Sequence, residues 1–205
     1  YSGGATCPSL LLEPSRTNLV PYTEYFDNAI TNVTPTYNYG TSPDGLNNST
    51  FLLPSTAVEA HRLSYSDLFT YASSTSYVAS AFIKSGGHRY VTINLVLRNS
   101  GSFQESAIGF IDLEQNTIVV NGSNTLWTSV AVFKEEYANG FYRYSVTAKT
   151  PASGSDRVDV QLSLVDENGN SFAGNGTDGI IAYGLQAEAG SYPTSYIPNH
   201  SGGTI

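Results

Sequence analysis

Charge is scarce in this chain of 205 residues. Asp, Glu, Lys and Arg make up 13% of it, about half the roughly one quarter of an ordinary soluble domain. Neutral polar groups must therefore meet the solvent, and Ser, Thr, Asn, Gly and Tyr are abundant. Basic residues are the scarcest class: nine Lys and Arg stand against 17 Asp and Glu, and the net charge is −8. The nine are scattered, so no basic patch offsets the acidic surface, and nucleic acid is excluded as a partner. A single cysteine, Cys7, excludes an internal disulfide and any cysteine-based zinc site. It reads as a free thiol in a terminal segment, with an intermolecular bridge as the alternative. No apolar run approaches the ~20 residues of a membrane helix, so membrane insertion is not expected.

Catalytic signatures are also missing. The histidines are His61, His88 and His200. None sits in an HExxH pattern, and there is no Gly-x-Ser-x-Gly elbow. Phosphate-cradling glycine loops are absent, and Ser85-Gly-Gly87 reads as a hairpin turn. Glu105 and Glu135-Glu136 read as solvated. Paired carboxylates for glycoside hydrolysis need a spatial separation that spacing along a chain does not give. The expectation is a protein that is not an enzyme.

Strands dominate what is present. Hydrophobic residues are 40% of the chain, too many for disorder. The one helix candidate, Asp67 to Tyr71, has no sustained 3.6-residue period. Strand signals recur instead, at 77–83, 90–97, 107–113, 117–120, 130–133, 141–148, 157–164 and 179–185, and 90–97, 141–148 and 157–164 alternate with period 2. In 90–97, Val91, Ile93, Leu95 and Leu97 share one face. In 157–164, Val158, Val160, Leu162 and Leu164 do. Turn signals such as Asn99-Ser-Gly101, Asn139-Gly140 and Asn168-Gly169 separate these runs. Asn32 to Asn38 reads as an edge strand, since proline suits edges. The pattern predicts one all-β domain over residues 1–205, a two-sheet antiparallel sandwich, with 1–9 and 199–205 as loose terminal segments.

Several segments are more specific. In chain order they are Leu10-Leu-Leu-Glu-Pro-Ser-Arg-Thr-Asn-Leu19, Tyr22-Thr-Glu-Tyr-Phe-Asp-Asn28, Ser42-Pro-Asp-Gly45, Ile111-Asp-Leu113, Asn139-Gly-Phe-Tyr-Arg143, and 183–198 with its Gln186, Glu188 and Tyr192-Pro-Thr-Ser-Tyr-Ile-Pro198. Together they resemble the jelly-roll, carbohydrate-binding-module-like domains of phage tail-fibre and other virion-surface proteins, and of secreted polysaccharide-active enzymes. The resemblance runs from about Leu10 to Pro198. It implies a jelly-roll sandwich, an extracellular or virion-surface location, and a polysaccharide or cell-surface glycan as partner, beside copies of itself or a larger fibre assembly. Two positions depart from the family: Ala29-Ile-Thr31 follows Phe-Asp-Asn where a tryptophan is usual, and Phe141 stands where tryptophan is frequent. The end motifs read as structural. Glu13 and Arg16 would pair or bind backbone to fix the entering chain, and Gln186 and Glu188 would sit on the closing strand.

Glycan binding needs flat aromatic faces for sugar rings and polar tips for their hydroxyls. Trp127, after an Asn-Gly-Ser-Asn-Thr turn, is expected at an exposed loop end. Tyr90, Asn94, Tyr142 and Tyr144 are placed on polar strand faces, flanked by His88, Arg89 and Arg98; the alternative for each aromatic is core filling. Asp166-Glu-Asn-Gly-Asn170 sets Asp166, Asn168 and Asn170 at alternate positions, as in calcium loops, without the bidentate Glu of an EF-hand. A β-turn is the plain reading and a structural Ca²⁺ the other; no further cofactor is expected. Three functions compete: a non-catalytic carbohydrate-binding or adhesion domain, a structural virion or filament protein that self-assembles as a homo-oligomer, and a glycan hydrolase or lyase.

Overall fold

The computed structural model describes residues 13–26 and 30–200, and of residues 67–70 the backbone alone. Cys7, the Leu10–Leu12 start of the entering motif, residues 27–29 and the terminal segments 1–9 and 201–205 lie outside the described residues. In chain order the strands are β1 (Ile30–Thr31), β2 (Val33–Gly40), β3 (Ser49–Pro54), β4 (Glu59–Thr70), β5 (Ser76–Gly86), β6 (Tyr90–Asn99), β7 (Ser102–Asp112), β8 (Thr117–Asn121), β9 (Thr128–Glu136), β10 (Tyr142–Lys149), β11 (Arg157–Val165), β12 (Ser171–Phe172) and β13 (Gly179–Ala189). They form two antiparallel sheets, ordered β1-β4-β11-β6-β7-β8 and β2-β3-β13-β5-β10-β9, with β12 attached to β4.

The core lies between the sheets. Val91, Ile93, Leu95 and Leu97 of β6 and Val158, Val160, Leu162 and Leu164 of β11 are all fully buried there. Each such side chain contributes roughly 1.5–3 kcal/mol relative to exposure. Period-2 alternation thus places the inner faces where the sequence pattern puts them. Pro35 sits on β2, which pairs with β3 alone and forms a sheet edge, so its missing N–H costs no ladder bond.

Three expectations are corrected. Residues 67–70 are not helical: they close β4, where Phe69 lies opposite Val158 and Thr70 opposite Arg157. A single helical turn cannot outweigh ladder pairing along a neighbouring strand. Ser85-Gly-Gly87 is not a hairpin turn, because β5 and β6 belong to different sheets and the chain crosses the sandwich there. Gly87 has φ +107°, and a Cβ on it would meet Asp178 at 2.6 Å, so the crossing needs glycine. Asn199 is not loose. It is buried, its N–H donates to Thr23 Oγ1 at 3.1 Å, and its amide donates to the Val20 carbonyl at 2.9 Å.

That last contact belongs to a clasp between the two ends of the described chain. The Leu19 N–H donates to the Ala187 carbonyl at 2.8 Å. Asn18 donates to the Ile197 carbonyl at 2.8 Å and accepts from Val20 at 3.1 Å. Glu13 accepts the Ser195 N–H at 3.0 Å, and Arg16 lies over the Tyr192 ring at 5.5 Å. On β13, Gln186 accepts the Ile197 N–H at 2.7 Å and the buried Glu188 accepts the Thr194 N–H at 3.0 Å. The segment 191–198 therefore lies over the outer face of the second sheet, where Arg143 donates to the Thr194 carbonyl and to Ser80.

Candidate functional site

A polar groove lies on the outer face of the first sheet. It follows from the strand phases opposite the core. On β11, Asp159, Gln161 and Ser163 alternate with the buried aliphatics, and on β6, Thr92 and Asn94 do the same. The register sets these phases side by side: Asn94 is opposite Gln161, which is opposite Ser64, while Thr92 is opposite Ser163, which is opposite Arg62. Two rows of hydrogen-bonding side chains result. Thr92, Asn94, Gln161 and Ser163 floor a groove of about 740 Å³, with Arg62 on one side. Phe103, Asn121 and Ser123 line one flank and Asn170 another. The volume falls in the range of small-molecule sites.

The floor holds unused hydrogen-bonding capacity. The Asn94 amide donates to Thr92 Oγ1 at 3.1 Å, and Gln161 donates to Ser64 Oγ at 3.1 Å. Asn94 Oδ1 and Arg62 Nε are buried without a hydrogen-bond partner. A buried acceptor in that state costs about 1–3 kcal/mol, which a ligand donor would recover. Arg98, at the rim, is committed to Asp159, whose side chain is fully buried and also meets Arg157 Nε at 2.9 Å.

Glu105 is the carboxylate among the described residues lining the groove. Its oxygens accept from the N–H groups of Thr125, Leu126 and Trp127 and from the Thr125 hydroxyl, at 2.8–2.9 Å. Burial pushes its pKa up, but these donors outweigh it and hold the carboxyl below the ordinary value. The bonds turn residues 125–127 inward, which corrects the reading of Trp127 as an exposed platform. It is 2% exposed and packs in the core.

Tyr142 and Tyr144 are corrected as well. They share the inward phase of β10 with Val146 and Ala148, and Tyr144 is fully buried. The outward phase is Arg143, Ser145 and Thr147, on the face that the 191–198 segment covers. Phe141, where the domains it resembles often carry tryptophan, is fully buried against Phe82 and Tyr183 in a separate apolar cluster with Tyr196 on the outer face of the second sheet, so it presents no open ring. Asn94, Arg98 and Asn170 line the groove. Tyr90 and His88 instead line a second cavity of about 310 Å³ at the end of the sandwich, beside Asp166 and Asn168. There Tyr90 packs on Phe110 at 5.4 Å and under Arg89 at 4.8 Å. His88 Nε2 lies 3.0 Å from the Tyr90 carbonyl and 2.9 Å from that of Val165, so this nitrogen carries the proton. The imidazole stacks on Phe172, and His61 packs against the same ring.

The 166–170 segment is a turn. Asp166 Oδ1 accepts the N–H groups of Asn168 and Gly169, both at 2.8 Å. It is also an insertion in a strand path: Leu164 is opposite His61 and Ser171 opposite Ala60, so β12 resumes the pairing with β4 that β11 leaves. The looped-out residues bring Asn170 to the groove. Among the described residues, no cluster of three or more His, Cys, Asp or Glu side chains could hold a metal ion. Sequence reading missed Arg62, Thr92, Gln161 and Ser163. Their signal was the outward phase of β6 and β11, but only the register shows that the phases adjoin.

The fold defines the class: a two-sheet antiparallel β-sandwich. No family profile matches the chain, and no curated protein matches it in sequence. Among solved structures, it is similar to the enzymatically active domain of tailspike protein 4 of bacteriophage CBA120, at 14% identity and a TM-score of 0.50, over 83% of this chain and 21% of that one. A second similar structure is the CBM22-1–GH10 modules of xylanase 10B from Clostridium thermocellum, complexed with xylohexaose, at 12% identity and a TM-score of 0.44, over 90% and 29%. A third is a carbohydrate-binding module of Cellvibrio mixtus lichenase 5A with cellotriose, at 10% identity and a TM-score of 0.41, over 84% and 98%. The chain thus spans less than a third of the first two structures. No helix among the described residues is long and apolar enough to cross a membrane.

Proposed function

We propose that the chain is a non-catalytic carbohydrate-binding domain, displayed on a virion or in an extracellular protein, and that the groove over β4, β11, β6 and β7 holds the glycan. The observation that carries this reading is the buried, unpaired Asn94 Oδ1 on a floor of amide and hydroxyl groups. Sugar hydroxyls are donors and acceptors at short, regular spacing, and such a floor complements them. Phe103, 62% exposed at the rim, offers a flat face for a pyranose ring. Hydrolysis would ordinarily need two available carboxyl groups. The groove-lining carboxylate, Glu105, has both oxygens occupied, which supports binding over catalysis. Affinity electrophoresis against a panel of bacterial, algal and plant polysaccharides tests the reading: retardation by at least one is expected, and free migration through all of them would sink it.

One observation favours a second reading, self-assembly. β8 is a sheet edge on which Val119 and Val120 are 55% and 40% exposed. An exposed apolar edge is a template for pairing with another copy. Native mass spectrometry decides: an oligomer is expected on this reading, and a monomer at micromolar concentration opposes it.

A further inference from the structure

Resting on the glycan-binding reading, we propose that the groove takes an anionic saccharide, a sugar bearing a carboxylate in the manner of a hexuronic acid, and that Arg62 meets that charge. The other arginines around this sheet are already committed. Arg98 and Arg157 converge on Asp159, and Arg89 is held by Asp112 at 2.7 Å and Glu114 at 2.8 Å. Arg62 meets no carboxylate among the described residues, and its Nε is buried without a hydrogen-bond partner beside the groove. In a chain with 17 acidic and nine basic residues, an uncommitted guanidinium facing a ligand-sized groove calls for an anion.

The surroundings specify the anion further. Arg62 stands in the row of Ser163 and Thr92, whose hydroxyls add neutral donors. A planar fork between hydroxyls matches a planar carboxylate, which takes two parallel N–H bonds. Repulsion from Glu105 is weak at this end of the groove. Glu105 is opposite Leu97, five residues along β6 from Thr92, and β7 lies three strand spacings from β4. The separation is therefore roughly 20 Å, beyond the ~8–10 Å screening length of physiological salt. The sugar carboxylate would sit at the Arg62 end, and the neutral part of the ring would lie over Thr92 and Asn94 toward Phe103.

Calorimetric titration with matched oligosaccharides tests this. The probes are oligogalacturonate, oligoglucuronate and oligomannuronate, each beside its carboxyl-reduced neutral form, with xylan and β-glucan oligomers as further neutral probes. At least one acid form should bind ten-fold or more tightly than its reduced counterpart. Arg62→Gln should bring the two within about three-fold, and Arg62→Lys should keep part of the preference. Melting curves for both variants verify folding, which an outward-facing substitution leaves intact. Equal or tighter binding of the reduced forms overturns the proposal, as does an acid preference that survives Arg62→Gln. Binding of neutral oligomers with no binding of any acid form overturns the anionic assignment alone. Absence of binding across all probes overturns the anionic assignment, and free migration through the polysaccharide panel besides overturns the glycan reading together with it.

Discussion

The carboxylate of Glu105 accepts the backbone N–H of Trp127 at 2.8 Å, and Trp127 is thereby turned from the surface into the core. One side chain at the groove thus sets both the conformation of residues 125–127 and the burial of the only tryptophan. Glu105→Gln replaces charge-assisted bonds with weaker neutral ones and can accept at only one atom. It should cost about 2 kcal/mol in urea unfolding and shift the Trp127 emission to longer wavelength. The wild-type contribution has a defined pH window. The folded pKa lies below the unfolded value of 4.5, so the stabilisation is complete above about pH 4.5 and is lost as pH falls through the folded pKa. Glu105→Gln should flatten that acid limb; an unchanged slope would show that the carboxylate does not hold the loop.

Asn94 separates binding from stability. Asn94→Ala loses the amide bond to Thr92 but also removes the buried, unpartnered Oδ1, and because these offset, the melting temperature should change by only a degree or two. Affinity for any glycan that binds should fall about ten-fold, the loss of one to two hydrogen bonds. Phe103→Ala should weaken binding similarly, through the lost ring face. Loss of stability without loss of affinity in Asn94→Ala would mark the residue as structural.

Arg143 is the hinge pin of the clasp. It is 4% exposed on a sheet face, donates to Ser80 Oγ at 2.9 Å and lies over the Phe82 ring at 5.2 Å. Arg143→Ala would leave the Thr194 carbonyl and Ser80 with a void between them, and should destabilise by about 3 kcal/mol. Proteolysis within 191–198 should accelerate in this variant, visible by mass spectrometry of early fragments. Slow cleavage equal to the parent would show that Glu13, Gln186 and Glu188 hold the segment unaided.

The two imidazoles flanking Phe172 predict a second pH limb. Burial holds the pKa of both His61 and His88 below the usual 6.5, and the acceptors around them oppose it only in part. The unfolded chain therefore takes up protons that the folded chain refuses. Stability should be complete above about pH 6.5 and decline as pH falls from there toward the folded values. Urea unfolding at pH 7.5 and 5.5 measures the drop, and His61→Gln should show a smaller one than the parent.

The inward faces of β6 and β11 could be read from the sequence alone, because burying one side of a strand forces a two-residue period on its aliphatic residues. The edge role of β2 was readable from Pro35 for a similar local reason. β10 carried the same information, since Tyr142, Tyr144, Val146 and Ala148 alternate with Arg143, Ser145 and Thr147. The phenolic hydroxyls made the tyrosines look like surface residues, although their rings fill the core. Other features depend on pairing between distant segments. Residues 67–70 extend because β11 offers them a ladder, and Ser85-Gly-Gly87 crosses between sheets because β5 and β6 have different neighbours. Trp127 points inward because a carboxylate from β7 captures its N–H. The groove belongs to this group too: Arg62, Ser163 and Thr92 lie on three strands far apart in the chain, and side-chain period sets the face each occupies while only inter-strand register makes them neighbours.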